Sequence, residues 1–271
     1  MSLVHQQRHP KAMAVPLRTM ARFLTAYRAR CGALASQPLT QTRLRRFLRD
    51  IRVPIDHARL RRLAEERKQA TRFNVFDLIE PDENRLSDVL ADLLDPSGKH
   101  GQGELFLRLL LEQLNLGWNT HALPSAKVER EAATYALRNR RRRIDLLVEA
   151  GFMLAIENKK DSPEQPHQVK NYLAHLARSA ASNHQPYALI YLTPDLRLPS
   201  SLTTDALQAE RAARHLVCWS YPRELRQWLE RCRGECQAAK VQYFLADFIT
   251  YATTVLHRDE RNEDPENDNE N

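Results

Sequence analysis

The stretch that decides the fold is Arg140–Lys159, RRRRIDLLVEAGFMLAIENK. It reads as two short apolar strands joined at Gly151. Ile144, Leu146 and Val148 alternate with Asp145 and Leu147, and Phe152–Ile156 forms a second run ending in Glu157, Asn158 and Lys159. Strands of this length around a glycine predict a hairpin, with Gly151 supplying the positive φ of a three-residue loop. Asp145 stands six residues before Gly151 and Glu157 six after it, so a hairpin centred there sets the two acids opposite each other. Glu157 and Lys159, two apart on one strand, share a face. Two carboxylates and an ammonium thus converge at the end of a hairpin apolar enough to be buried. Buried charges need partners or a metal. Paired carboxylates suit a hard divalent cation with oxygen ligands, such as Mg²⁺, and the neighbouring lysine can steady an attacking water or a phosphate charge.

Upstream, Glu80–Leu114 reads EPDENRLSDVLADLLDPSGKHGQGELFLRLLLEQL. Asp82 is an N-cap candidate. Leu86, Val89, Leu90, Leu93 and Leu94 follow the spacing of an amphipathic helix, which Asp95-Pro96 ends. A helix packed under the sheet can deliver a third carboxylate from its first turn, and Glu83 is placed to do so. Gly103–Leu116 reads as a second, widely apolar helix stopped by Gly117, and Lys127–Tyr135 as the first strand of the sheet. Beyond Lys159, Ser162 with Gln165 forms a capping box and Pro163 suits the first helical position. The helix they predict carries Gln168 and Tyr172, four apart and therefore on one face. Pro186–Thr193 and His215–Tyr221 are further strands, the former parallel to the Glu157 strand through the crossover helix. Leu202–Arg214, Arg223–Cys232 and Cys236–His257 are helices.

Asp145 followed by Glu157-Asn158-Lys159 resembles the D…(D/E)xK signature of the PD-(D/E)XK nuclease superfamily, with Ile144 where the nominal proline would stand. The opening helix resembles one branch of it, E…S..LA.LLDP…HG.G..FL, through Glu83, Ser87, Leu90-Ala91, Leu93-Leu94-Asp95-Pro96, His100-Gly101, Gly103 and Phe106-Leu107. Gln168 and Tyr172 are similar to the QxxxY pair of the exonuclease-like and RecB-like branches. The resemblance implies an α/β, restriction-endonuclease-like core, a mixed central sheet flanked by helices, over residues 73–257. It implies phosphodiester hydrolysis, with DNA as the expected substrate and Mg²⁺ or Mn²⁺ as cofactor. Asp145, Glu157, the Asn158 carbonyl and Glu83 would hold the metal, Lys159 would serve catalysis, and Gln168 and Tyr172 would position the active strand or the nucleic acid. It also implies a glutamate on the first strand, for which Glu131 is the better candidate. Arg140, Arg141, Arg142, Arg143 and Lys160 would lie beside the bound phosphate. For the arginine run, a solvated charged edge is the competing reading.

Composition is that of a soluble globular protein. The 271 residues are 42% hydrophobic and 28% charged, and no apolar run is long enough to span a membrane. The first residues lack the apolar core of a secretory leader. Cys31, Cys218, Cys232 and Cys236 form no zinc-type pairs, so reduced thiols and a cytoplasmic location are expected. Neither a GxGxxG nor a P-loop pattern occurs. The net charge of +7 is unevenly placed. Residues 1–72 carry 17 Lys and Arg against 4 Asp and Glu, and residues 259–271 carry 1 against 7, so the body between them is neutral. Residues 1–72 therefore read as a basic helical extension, with helices over Leu17–Cys31, Thr40–Ile51 and, after a break at Pro54, Asp56–Lys68. The extension contacts phosphate backbone or packs on the core or a partner subunit, a second copy included. Residues 258–271 read as an acidic disordered tail. The alternative function is a nuclease-fold subunit that binds nucleic acid or a partner without cutting. A sugar hydrolase built on paired carboxylates gives no reason for Lys159. Restriction, phage defence, repair and mobile-element roles would all be served by such a domain.

Overall fold

A computed structural model describes residues 41–70, 72–134 and 143–254. The expected helix over Leu17–Cys31, residues Arg140–Arg142 and the acidic tail lie outside them. The chain divides into two compact units, Met1–Arg72 and Phe73–Asn271.

In the first unit, α1 (Gln41–Gln69) is one continuous helix, not two helices broken at Pro54. Proline removes one backbone donor and costs about 3 kcal/mol in a helix interior. The Arg- and Leu-rich turns before it and the Arg-, Leu-, Ala- and Glu-rich turns after it are strong helix formers and carry the helix across it. Arg52 and Asp56, one turn apart, form an exposed ion pair at 3.6 Å.

The second unit begins with α2 (Val75–Ile79), capped by the Asn74 side chain, which accepts from the Phe76 N–H. In α3 (Glu83–Leu94), Asp82 caps as its sequence predicts, its carboxylate accepting from the Arg85 N–H at 2.7 Å. α4 (Leu105–Leu114) ends before Gly117, because Asn115 already adopts the left-handed conformation at φ 50°. The sheet follows in chain order: β1 (Lys127–Ala133), β2 (Arg143–Glu149), β3 (Met153–Asn158), β4 (Tyr187–Thr193) and β5 (Leu216–Ser220). β1, β2 and β3 are antiparallel neighbours, whereas β3, β4 and β5 are parallel, so the sheet is mixed. α5 (Gln168–Asn183) crosses from β3 to β4, and α6 (Thr204–Ala212) from β4 to β5. A π-helical turn (Tyr221–Leu225) leads from β5 into α7 (Arg226–Glu235), and α8 (Ala239–Thr254) closes the described chain.

The predicted hairpin is present. Glu149 pairs with Met153 across a three-residue loop, and Gly151 takes φ +74°. The predicted capping box at Ser162 is not used. Helix α5 starts at Gln168, and the Gln165 N–H donates instead to Gln168 Oε1 at 3.0 Å. The Glu164 carboxylate ties this loop to the Ser200 hydroxyl (3.0 Å) and the Val169 N–H (3.2 Å).

Two apolar layers cover the sheet. Leu146, Val148, Leu154, Ile156, Ile190 and Leu192 pack with side chains of α3, α4, α7 and α8. Leu147, Ala155, Leu189 and Tyr191 pack with Val169, Tyr172 and Leu176 of α5. The alternation of strand residues between the layers breaks at one point. Leu146 belongs to the first layer but Ile144 to the second, and Asp145 lies between them.

Candidate active site

The site forms where β2 and β3 end beneath the first turn of α3. Glu157 is fully buried, held between two donors. Gln168 Nε2 reaches its Oε1 at 2.5 Å and Lys159 Nζ at 3.0 Å. Its second oxygen, Oε2, is buried with no hydrogen-bond partner. Asp145 accepts the Asn158 N–H on Oδ2 at 2.8 Å. Lys159, almost wholly buried, also lies 3.4 Å from Glu83 Oε1, and Glu83 Oε2 accepts the Lys160 N–H at 3.1 Å. Three acids therefore surround one buried lysine.

The electrostatics follow from that crowding. Burial first, and the Asp145 charge second, push the Glu157 carboxyl up to about 8. Burial likewise raises Asp145, against the Asn158 hydrogen bond and the Lys159 charge, which pull it down. Burial works against the Lys159 ammonium, but the charges of Glu157, Glu83 and Asp145 outweigh it and hold its value up. A site with more buried negative than positive charge gains from a bound cation.

A family model described as the PD-(D/E)XK nuclease superfamily matches residues 73–253, well over half of the chain. The chain belongs to the PD-(D/E)XK nuclease superfamily. No curated protein and no solved structure matches it.

Within this nuclease fold, Asp145, Glu157 and Lys159 stand together at the end of the hairpin. Gln168 and Tyr172 form a chain behind them. Gln168 Nε2 also donates to the Tyr172 hydroxyl (3.1 Å), which in turn donates to the Arg143 carbonyl (2.6 Å). This chain links Glu157 to β2 through α5. Asn158 uses its side-chain amide to bind helix α3 and the π-helical turn. Its Nδ2 donates to the Glu83 carbonyl and to Ser87 Oγ, both at 3.1 Å, and its Oδ1 accepts from the Tyr221 hydroxyl. Glu131 does not enter the site; its carboxylate is half exposed and pairs with Arg143. Lys160 is engaged by its own surroundings, with Nζ 3.1 Å from the Pro81 carbonyl and 3.4 Å from Asp161. Arg140, Arg141 and Arg142 fall outside the described residues.

The donor set can be weighed against a divalent cation. Among the described residues no three His, Cys, Asp or Glu side chains are gathered as a ligand group. Glu83 Oε1 lies 3.4 Å from Lys159 Nζ and its Oε2 accepts the Lys160 N–H. Asp145 and Glu157 nevertheless fit Mg²⁺, which is commonly held by one or two carboxylates, with water and substrate phosphate completing the shell. The partnerless Glu157 Oε2 is the oxygen left for it.

Sequence reading missed three members of the site. Arg130 bonds the Asp145 carbonyl, Tyr221 bonds Asn158, and Arg197 Nη2 donates to the Lys159 carbonyl at 3.2 Å. These three reach the site across long separations and follow no local spacing. Ser87, which accepts from Asn158, did carry a signal, as a residue of the opening-helix pattern without a role.

Proposed function

We propose that this protein is a divalent-metal-dependent nuclease that hydrolyses phosphodiester bonds in DNA. The observation that carries the proposal is Glu157: a buried carboxylate with one oxygen tethered by Gln168 and Lys159 and the other without a partner, next to Asp145. Family membership supplies the reaction class. Asp145 and Glu157, with the Asn158 carbonyl, would hold Mg²⁺ or Mn²⁺. Such a cation polarises a phosphoryl oxygen and acidifies a water.

The chain's own residues supply the rest. Lys159 keeps its proton because the surrounding acids hold its value up, so it serves as a fixed positive charge. It steadies the attacking oxygen or offsets charge building on the phosphate. Gln168 holds Glu157 Oε1, which leaves Oε2 without a protein partner. Glu83 acts as the counter-charge that keeps Lys159 in place. Arg143, exposed at the start of β2, and Lys160 add positive charge for the flanking phosphates.

The test is incubation of the purified chain with linear, circular and single-stranded DNA and with RNA, in Mg²⁺, in Mn²⁺ and in chelator. Cleavage of DNA with either metal, absent in chelator and absent in Glu157→Gln, is the expected result. Binding of DNA with no cleavage under any of these conditions would replace this reading with that of a non-cutting subunit.

A further inference from the structure

The main chain of Asp145 has no register partner on either neighbouring strand. The β1–β2 pairing runs from Arg130↔Leu146 to Ala132↔Ile144 and skips Glu131 and Asp145. The β2–β3 pairing stops at Leu146↔Ile156, one pair short of Asp145 and Glu157. The skip coincides with a strained backbone. Glu131 has φ +51°, a left-handed conformation that a non-glycine residue adopts at a cost of about 1–3 kcal/mol. The irregularity separates the two residues that flank it. Ala132 packs in the second apolar layer, while Arg130 pairs with Leu146 of the first, the layer that α3 covers.

A main-chain carbonyl that leaves its ladder must find another donor. Arg130 is that donor. Its Nη1 reaches the Asp145 carbonyl, its Nη2 the Asn84 carbonyl at 3.1 Å, and its Nε Asp88 Oδ1 at 2.9 Å. One planar guanidinium thus joins β2 at Asp145 to the first turns of α3, and among side chains only arginine has donors fanned in this way. The same helical turn carries Glu83, which holds Lys159 and Lys160. The Asn158 amide stitches that turn to β3. The helix end is therefore fastened to both strands of the hairpin, through Asn158 on one side and Arg130 on the other.

We propose that Arg130 is a positioning residue of this site: it takes the place of the missing ladder bond and fixes Asp145 against α3, so that the Asp145 carboxylate stays on the Asn158 N–H. What it predicts for cleavage rests on the nuclease function proposed above; the fixing of Asp145 does not. The competing role is a plain surface ion pair with Asp88, which is half exposed.

The experiment compares the full chain with Arg130→Met, Arg130→Lys and Asp88→Asn. Hydrogen exchange of the Asn158 amide is followed by NMR without metal or DNA, against the Ile156 amide as an internal reference. In Arg130→Met the Asn158 amide should exchange about 10-fold faster relative to Ile156, as expected for loss of one hydrogen bond's worth of local stability. Arg130→Lys keeps the charge without the fork and should show the same acceleration. Asp88→Asn leaves the other two bonds of the fork in place and should not. In cleavage assays Arg130→Met should lose about 10- to 100-fold in kcat, the usual scale for a residue that orients a metal ligand, with KM for linear DNA within about two-fold. Unchanged Asn158 protection in both arginine variants, or equal acceleration in Asp88→Asn, overturns the proposal. A chain that never cuts sinks the nuclease reading alone, because the exchange measurement still decides on Arg130.

Discussion

At the scale of single residues, the chemistry turns on a carboxyl group whose surroundings disfavour its charge. The ordinary glutamate value is 4.5, and the folded protein raises Glu157 to about 8. The folded state therefore binds this proton more tightly than the unfolded chain does, and between those two values unfolding releases it. Stability of the metal-free protein should fall as pH rises from about 4.5 to about 8, with a slope from this group of at most about 1.4 kcal/mol per pH unit. Melting temperatures across that window, in chelator, should show a flatter profile for Glu157→Gln than for the wild type. Parallel profiles would remove Glu157 as the source. Lys159→Ala should lower kcat by about 100-fold or more if its charge acts on the reacting phosphate, with a much smaller change in Mn²⁺ affinity by calorimetry. A variant that cuts at the wild-type rate would reduce Lys159 to a partner of Glu157.

At the scale of elements, helices α3 and α5 grip the hairpin from its two faces. Gln168 of α5 holds one oxygen of Glu157, so Gln168→Leu should leave the fold intact and reduce kcat by about 10- to 100-fold, with DNA binding in chelator unchanged. An unaltered kcat would assign Gln168 to packing only. Tyr221, fully buried at the start of the π-helical turn, donates to the Asn158 side chain. Tyr221→Phe leaves the buried Asn158 Oδ1 without that donor and should cost about 1–3 kcal/mol in urea unfolding; a loss below a few tenths would show that the carbonyl finds another partner. Helix starts were legible only where the cap is local. Asp82 caps α3 through a bond three residues long. Ser162 and Gln165 satisfy the same local rule and form no cap, because Glu164 and Gln168 draw that loop into long-range bonds with Ser200 and Glu157.

At the scale of the whole molecule, charge separates from chemistry. Residues 1–72 carry the excess of 17 basic over 4 acidic residues, and every proposed metal ligand lies within the 73–253 family match. If the extension grips phosphates, a chain lacking residues 1–72 should bind duplex DNA more weakly. Its log–log salt dependence should be shallower by roughly 0.9 for each phosphate it no longer neutralises, and kcat at saturating DNA should largely survive. An unchanged salt slope with an altered oligomeric state in sizing experiments would assign the extension to a partner subunit or a second copy.

The sequence alone determined the hairpin, its centre at Gly151, the helix opened by Asp82, and the parallel crossover to β4. Each rests on periodicity, on a glycine that tolerates positive φ, or on a cap a few residues away, and such signals are written in neighbouring positions. Apart from Gln168, the side chains that hold the site in place were decided by the tertiary structure. Glu83 reaches Lys159 across 76 residues, Tyr221 reaches Asn158 across 63, and Arg130 reaches the Asp145 carbonyl across 15. No spacing rule connects such residues, because what joins them is the need of buried polar groups for partners, and those partners exist only once the sheet and helices have come together. The same need explains Glu83. The opening-helix pattern implies a metal ligand at this position, and in the folded chain its carboxylate lies against Lys159 and the Lys160 N–H.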